Sequence, residues 1–323
     1  MIRKKLAAVT AVAALMLTMT ACESTESSAD SNGGTPYIAI VSKGFQHQFW
    51  QAVKQGADQA AEEFDVEITF EGPDKETNVD QQIQMLTTAL GKNPSAIGFA
   101  ALDSQAATPL LEEAKSKDIP VVAFDSGVDS DIPVATATTD NKAAAAEAAK
   151  NLADLIGGKG KIAVIAHDQT SKSGTDRRDG FLEWMEENAP DIEVVDVQYG
   201  DGDQLKSTDA AKAIIAAHPD LAGMYGTNEG SAIGVVNAVK ELNLKGKLTI
   251  VGFDSGKAQI DAIKDGTMAG AVTQNPVGIG YETVKAAVAA AKGEKVEKVI
   301  DTGFYWYDAE NIDSDEIKPN LYE

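Results

Sequence analysis

The four letters Phe-Asp-Ser-Gly occur twice, at 124–127 and 253–256, and each time they close the fourth run of an alternating series. The first series has the apolar runs "YIAIVS" (37–42), "VEITFE" (66–71), "AIGFAA" (96–101) and "PVVAFDSG" (120–127). Helical-period segments near 49–64, 78–92 and 104–117 separate them. The second series repeats the plan with "KIAVIA" (161–166), "IEVVDVQ" (192–198), "LAGMYG" (221–226) and "LTIVGFDSG" (248–256), joined by helices near 174–188, 205–217 and 229–242. Short Val- and Ile-rich runs alternating with helices define parallel sheets covered on both faces. No short tandem period is present, so the repetition is a duplication at the scale of a domain rather than a solenoid. The fold class is α/β, with two similar lobes. Further strands at about 268–274 and 296–304, with a helix near 277–292 between them, make the chain cross between lobes more than once. Such multiple crossings form a hinge.

Ligands of open parallel sheets sit outside the carboxyl ends of the strands. Residues just past those ends are therefore the site candidates: His47, Asp103, Asp125, Ser126, His167, Asn228, Glu229, Asp254 and Gln274. For any single Asp, Ser or Asn among them, capping the next helix is the simpler role. As a set they are rich in hydrogen-bonding groups and lie beside Phe49 and Trp50, in a chain only 6% aromatic. Carboxylates, amides and a guanidinium pair with ring hydroxyls, and an aromatic face covers the C–H side of a ring, so a neutral polyol such as a sugar suits the set. Arg177 and Arg178 open the helix near 174, and one of the two is expected to face inward.

The N-terminal stretch has Arg3, Lys4 and Lys5, then an apolar run to about Met19, then small residues and Cys22. This is the pattern of a secretory signal peptide over residues 1–21. "MTAC" (19–22) resembles a bacterial lipobox, with Cys22 the lipidated residue, and residues 22–35 read as a flexible tether with little to bury. Cys22 is the single cysteine, which excludes disulfides and a cysteine nucleophile together. Removal of residues 1–21 takes three basic and no acidic residues from a balance of 28 to 50, leaving 25 against 50. A surface so acidic repels phosphates, and nucleic acid is excluded as a partner.

Catalytic patterns are sparse. "GGKGK" (157–161) lacks the P-loop spacing, no G-x-S-x-G occurs, and His47, His167 and His218 do not fall at zinc-ligand spacing. "GDGDQ" (200–204) carries too few ligands for an EF-hand loop. Asp125 and Asp254 could serve as a glycosidase pair, whose separation the sequence does not give.

Taken in order, "HQFWQAVKQGA", "IPVVAFDSG", "ATTDN", "GTDRRDGF", "AAHPDLAGMYGTNEGSAIG", "IVGFDSG", "AGAVTQNPVGIGYE" and "VIDTG" resemble periplasmic binding proteins of the ribose- and xylose-binding type, over nearly all of 37–305. The resemblance implies two Rossmann-like lobes, 36–139 plus 275–300 and 140–274 plus 301–323. It implies an extracytoplasmic monomer that captures a monosaccharide such as xylose, glucose, ribose or allose and delivers it to the permease of an ABC transporter. With the lipid anchor the protein is membrane-attached. No catalytic residue, cofactor or metal is implied.

Carried over residue by residue, the family's sugar contacts fall at His47, Phe49, Trp50, Asp125, Arg177, Asn228, Asp254 and Gln274. Two positions depart from the ribose pattern. Ser126 stands where ribose binders have an arginine, as a smaller sugar-facing residue, and Gly202 stands where they have an aromatic. The loop holding Lys43, Phe45 and Gln46 is one residue longer than the ribose pattern, and sugar preference is expected to differ there. The rival readings are a glycosidase, a sugar-responsive repressor and a receptor partner for signalling or chemotaxis. The repressor would need a helix-turn-helix where the signal peptide lies.

Overall fold

The structure is a computed structural model that describes residues 35–322. Cys22, the signal segment and the tether up to residue 34 lie outside the described residues. In chain order the elements are β1 (Tyr37–Val41), α1 (Gln48–Phe64), β2 (Glu67–Glu71), α2 (Val79–Gly91), β3 (Ala96–Phe99), α3 (Thr108–Ser116), β4 (Val121–Phe124) and β5 (Ala135–Thr138). Then come α4 (Asn141–Leu155), β6 (Gly160–Ala166), α5 (Lys172–Asn188), β7 (Ile192–Tyr199), α6 (Gln204–Ala217), β8 (Leu221–Gly226), α7 (Glu229–Glu241) and β9 (Thr249–Phe253). The last are α8 (Lys257–Lys264), β10 (Gly270–Gln274), α9 (Pro276–Ala291), β11 (Val299–Asp301) and β12 (Phe304–Asp308).

The strands form two six-stranded sheets of one design. The first has the order β11-β5-β4-β3-β1-β2 and the second β12-β10-β9-β8-β6-β7. Each strand of the first series thus has its counterpart at the same place in the second, as the repeated Phe-Asp-Ser-Gly requires. Pairing is parallel throughout except between β10 and β12. The central strands β1, β3, β4, β8 and β9 are buried nearly end to end, as strands covered on both faces must be. Each sheet has an apolar layer on both sides. Ile38, Ile40 and Phe124 lie in one layer of the first sheet, with Val41, Phe99 and Leu111 in the other.

The strand expected near 296–304 is two strands in different sheets. Gly303, at φ +79°, turns the chain between β11, parallel to β5, and β12, antiparallel to β10. β5, "ATAT", has no long apolar run and was not expected from the hydrophobic pattern. The chain passes between the sheets three times: after β5, after β10 and after β11. Thr139 ties these passages together, its hydroxyl donating to Gln274 Oε1 at 3.0 Å, while the Thr302 N–H donates to the Thr138 carbonyl.

α9 follows a strand of the second sheet but packs on the first. Ile279, Val284 and Val288 are buried in the first sheet's apolar layer against α1. Gly56 and Gly280 allow that approach, since a Cβ on Gly56 would lie 1.8 Å from the Val277 carbonyl oxygen and one on Gly280 1.9 Å from that of Val53.

Candidate functional site

Both copies of Phe-Asp-Ser-Gly bend the chain at the aspartate. Asp125 has φ 54° and Asp254 φ 78°, left-handed conformations that Asp adopts more readily than most side chains. Each aspartate's N–H donates to a carbonyl of the next strand, Ala137 for Asp125 and Val272 for Asp254. The turn therefore lifts two carboxylates out of two sheets at equivalent places, and both stay over nine-tenths buried.

Between them lies Arg177, from the first half of α5, 3% exposed. Its NH2 is 4.0 Å from Asp125 Oδ1 and its NH1 3.8 Å from Asp254 Oδ2. Its Nε donates to Asn141 Oδ1 at 2.7 Å, its NH1 to the Thr227 carbonyl, and its plane lies 3.8 Å over the Phe253 ring. Stacking and a fixed fork orient the guanidinium as no lysine could be oriented. Arg178 instead pairs with Asp179 and Tyr199, away from this centre.

The wall opposite comes from the start of α1. Phe49 and Trp50 meet edge to face at 4.9 Å, and the Trp50 Nε1–H donates to Glu76 Oε1 at 2.7 Å. His47, 4% exposed, precedes the helix at its N-cap position but makes no capping bond. Its two ring nitrogens have no hydrogen-bond partner among the described residues and face Glu76 and Glu229 at 3.9 and 4.0 Å. On the second-sheet side, Gln274 donates to Asp254 Oδ1 at 2.7 Å. Asn228 caps α7 through Oδ1, which accepts from the Ser231 N–H.

The two faces are joined by helix caps exchanged across the cleft. Glu229 accepts from the Gln48 and Phe49 N–H groups, both at 3.2 Å, and so caps α1 from the other sheet. In return the Gln48 side chain accepts from the Lys257 N–H at 2.7 Å and caps α8, whose own N-cap residue is Gly256. Gln48 thus caps the facing helix rather than its own.

Burial dominates the electrostatics. It pushes the Asp125 carboxyl up to about 6 despite Lys43 and Arg177 nearby. It also raises Glu229, with His47 opposing, and lowers His167 to about 3, so that His167 is neutral at pH 7. For Glu76 burial acts in the raising direction, but His47, Lys43 and the Trp50 bond outweigh it and hold the group below the usual range.

Of the residues singled out from the sequence, His47, Phe49, Trp50, Asp125, Arg177, Asn228, Asp254 and Gln274 line one cavity. Ser126 does not line it; its hydroxyl accepts from the Ser173 N–H at 3.2 Å. Asp103 caps its own turn through the Gln105 and Ala106 N–H groups. Lys43, Glu76, His167, Ser173 and Glu229 also line the cavity. Lys43 reaches across to the Ser171 and Ser173 hydroxyls, both at 3.3 Å, and stands 3.8 Å from Asp168. Glu76 was hidden in sequence by its place in the polar "GPDKETN" loop (72–78), five residues beyond β2. The lining side chains leave about 20 Å³ among them, room for about one water, so a ring enters only when the two faces separate.

Two lobes of one plan, with convergent polar groups buried where their strand ends meet, define a binding protein that closes on a small ligand. The chain belongs to the periplasmic binding protein domain family, whose model matches residues 38–295. A relative, the D-allose-binding periplasmic protein of Escherichia coli K12, is 30% identical over 266 residues, covering 80% of this chain and 85% of that one. A carbohydrate transporter solute-binding protein of Agrobacterium radiobacter, solved with D-arabinose, superposes with a TM-score of 0.87 at 31% identity, covering 90% of this chain and 99% of that one. An ABC transporter solute-binding protein of Agrobacterium vitis, solved with D-fucose, gives 0.86 at 34% identity, covering 88% and 100%. The chain is accordingly a solute-binding component of sugar transport that works outside the cytoplasm.

Proposed function

We propose that the protein captures a monosaccharide between two lobes, 36–139 plus 275–300 and 140–274 plus 301–323, and presents it to the permease of an ABC importer. The observation that carries this reading is Arg177, stacked on Phe253 within 4.0 Å of Asp125 and 3.8 Å of Asp254, in a cavity also lined by Phe49 and Trp50. A planar donor fork between two carboxylates pairs with vicinal hydroxyls of a pyranose or furanose, and the rings cover its C–H face. Pentoses and hexoses such as xylose, glucose, ribose and allose are the ligand class. Relatives solved with D-arabinose and D-fucose support the same class.

The protein acts by binding and motion rather than by catalysis. Asp125 and Asp254 both serve one guanidinium, a binder's use of two carboxylates. Residues 1–21 act as a signal peptide, Cys22 carries the lipid, and residues 22–35 tether a monomeric binding unit to the membrane. Closing the lobes changes the surface offered to the permease, and sugar shifts that balance by binding the closed arrangement more tightly.

Tryptophan fluorescence and thermal shift against a panel of pentoses, hexoses and polyols test the reading. At least one sugar is expected to quench or shift Trp50 emission and raise the melting temperature. Silence across the whole panel refutes it.

A further inference from the structure

A second cavity, of about 410 Å³, lies directly outside the first and shares His47 and Glu76 with it as common wall. Its other lining comes from three loops and a helix start on both sides of the cleft, including Gln46, Lys75, Gly202, Leu205 and Lys206. From this continuity we infer that the sugar site is extended: the outer cavity takes a second, neutral moiety linked to the bound ring, so that glycosides are ligands as well as free monosaccharides. The inference rests on the sugar reading of the inner cavity.

Three observations place the doorway. His47 is buried between the two cavities, and among the described residues neither ring nitrogen has a hydrogen-bond partner, the nearest carboxylates being Glu76 and Glu229 at 3.9 and 4.0 Å. A group so placed can donate to one hydroxyl or bridging oxygen and accept from another. Gly202 stands at the threshold, where a Cβ would come within 3.1 Å of Glu76 Oε2, 3.2 Å of Asn228 Nδ2 and 3.7 Å of His47 Nε2. Even a Cβ is tight there, so a larger side chain would block the way between the two cavities, and the glycine adds no bulk to it. Leu205, 70% exposed, gives the otherwise polar outer cavity one apolar surface for the C–H face of a second ring or an aryl group.

Charge selects the class. Asp74, Glu76, Asp201 and Asp203 line the outer cavity against Lys75 and Lys206, and Lys206 is already paired with Asp201. An anionic substituent is therefore disfavoured and a neutral one is not. The anomeric oxygen is the position through which sugars are lengthened, so the test uses O-glycosides.

Calorimetry first identifies the tightest free monosaccharide, then compares its methyl and p-nitrophenyl glycosides in both anomers. At least one anomer is expected to bind within tenfold of the free sugar. Leu205→Ala should weaken the aryl glycoside about fourfold or more relative to the free sugar, as for one lost methylene contact or more. Gly202→Phe should weaken the glycoside more than tenfold relative to the free sugar. Its left-handed backbone, φ +66°, strains a Phe, so the exposed Leu205 variant carries the test if that chain folds poorly. If the free sugar binds while both anomers lose more than tenfold, the outer site is refuted and the sugar reading stands. If Leu205→Ala weakens both ligands equally, the outer site is likewise refuted. If no sugar of the panel binds, the reading beneath the inference fails and the inference with it.

Discussion

The caps exchanged across the cleft make closure depend on Glu229. Its carboxylate accepts the Gln48 and Phe49 N–H groups at 3.2 Å, and nothing from α1's own sequence replaces it, because His47 makes no capping bond. These bonds exist only while the two faces meet. At 3.2 Å they are long for charge-assisted bonds, so about 1 kcal/mol each is a fair gross value. The helix N-terminus adds about 0.5 kcal/mol for a nearby anion. Burial of the carboxylate, which raises its pKa, takes part of this back. Glu229→Ala should therefore cost closure about 1–2 kcal/mol, a factor of roughly 5–30.

Two measurements read that factor. Small-angle scattering of the sugar-free protein should show a larger radius of gyration in Glu229→Ala than in the parent chain wherever the parent is substantially closed. Sugar affinity should fall by up to the same factor, in full where the sugar-free parent is mostly open, since ligand must then supply the lost closing energy. Glu229 also lines the sugar cavity, so Gln48→Ala serves as the control. Gln48 does not line the cavity, and loss of its bond to the Lys257 N–H should weaken sugar binding in the same direction by about two- to fivefold. An unchanged radius together with an affinity within twofold of the parent, in both variants, refutes the exchanged-cap argument.

Two further outcomes follow from the buried charges. Asp125 has its carboxyl raised to about 6, so it binds more protons folded than unfolded, and its ionisation costs stability as pH rises through that value. Asp125→Asn, which tolerates the left-handed turn, should gain on the order of 1–3 kcal/mol at pH 7.5 while losing sugar binding. The gain should shrink to about a third at pH 4.5, and a melting temperature shift equal at both pH values refutes the burial argument. Arg177→Lys keeps the charge but loses the stacked fork, and should weaken sugar binding about a hundredfold by calorimetry; a loss under fivefold would show that only the charge matters.

The doubled sheet was legible because it rests on local pattern, four apolar runs and a terminal Phe-Asp-Ser-Gly in each half. β5 was not, because "ATAT" owes its burial to the neighbours it pairs with, β4 and β11, rather than to its own hydrophobicity. The rule of looking past strand ends found seven of the cavity residues, His47, Asp125, His167, Asn228, Glu229, Asp254 and Gln274, and gave no role to Lys43, which in a loop beside a glycine reads as a solvated turn residue. Asn228 shows that capping and lining the cavity can be one job, since Oδ1 caps while the residue still faces the cavity. Nothing in sequence marked the pairing of Glu229 with α1, which joins residues 180 positions apart or more and exists only through the meeting of two sheets.

The placement of α9 also governs how the chain is made. The first sheet is complete as strands, apart from its β11 edge, once residue 138 has been synthesised, yet Ile279, Val284 and Val288 belong to its core. Until those residues leave the ribosome, the apolar layer that α1 shares with α9 stays uncovered. The N-terminal half cannot finish folding ahead of the C-terminal half, contrary to the usual order for consecutive domains. A nascent chain that stays unfinished until nearly its whole length exists remains available, all that while, to be threaded elsewhere before it sets.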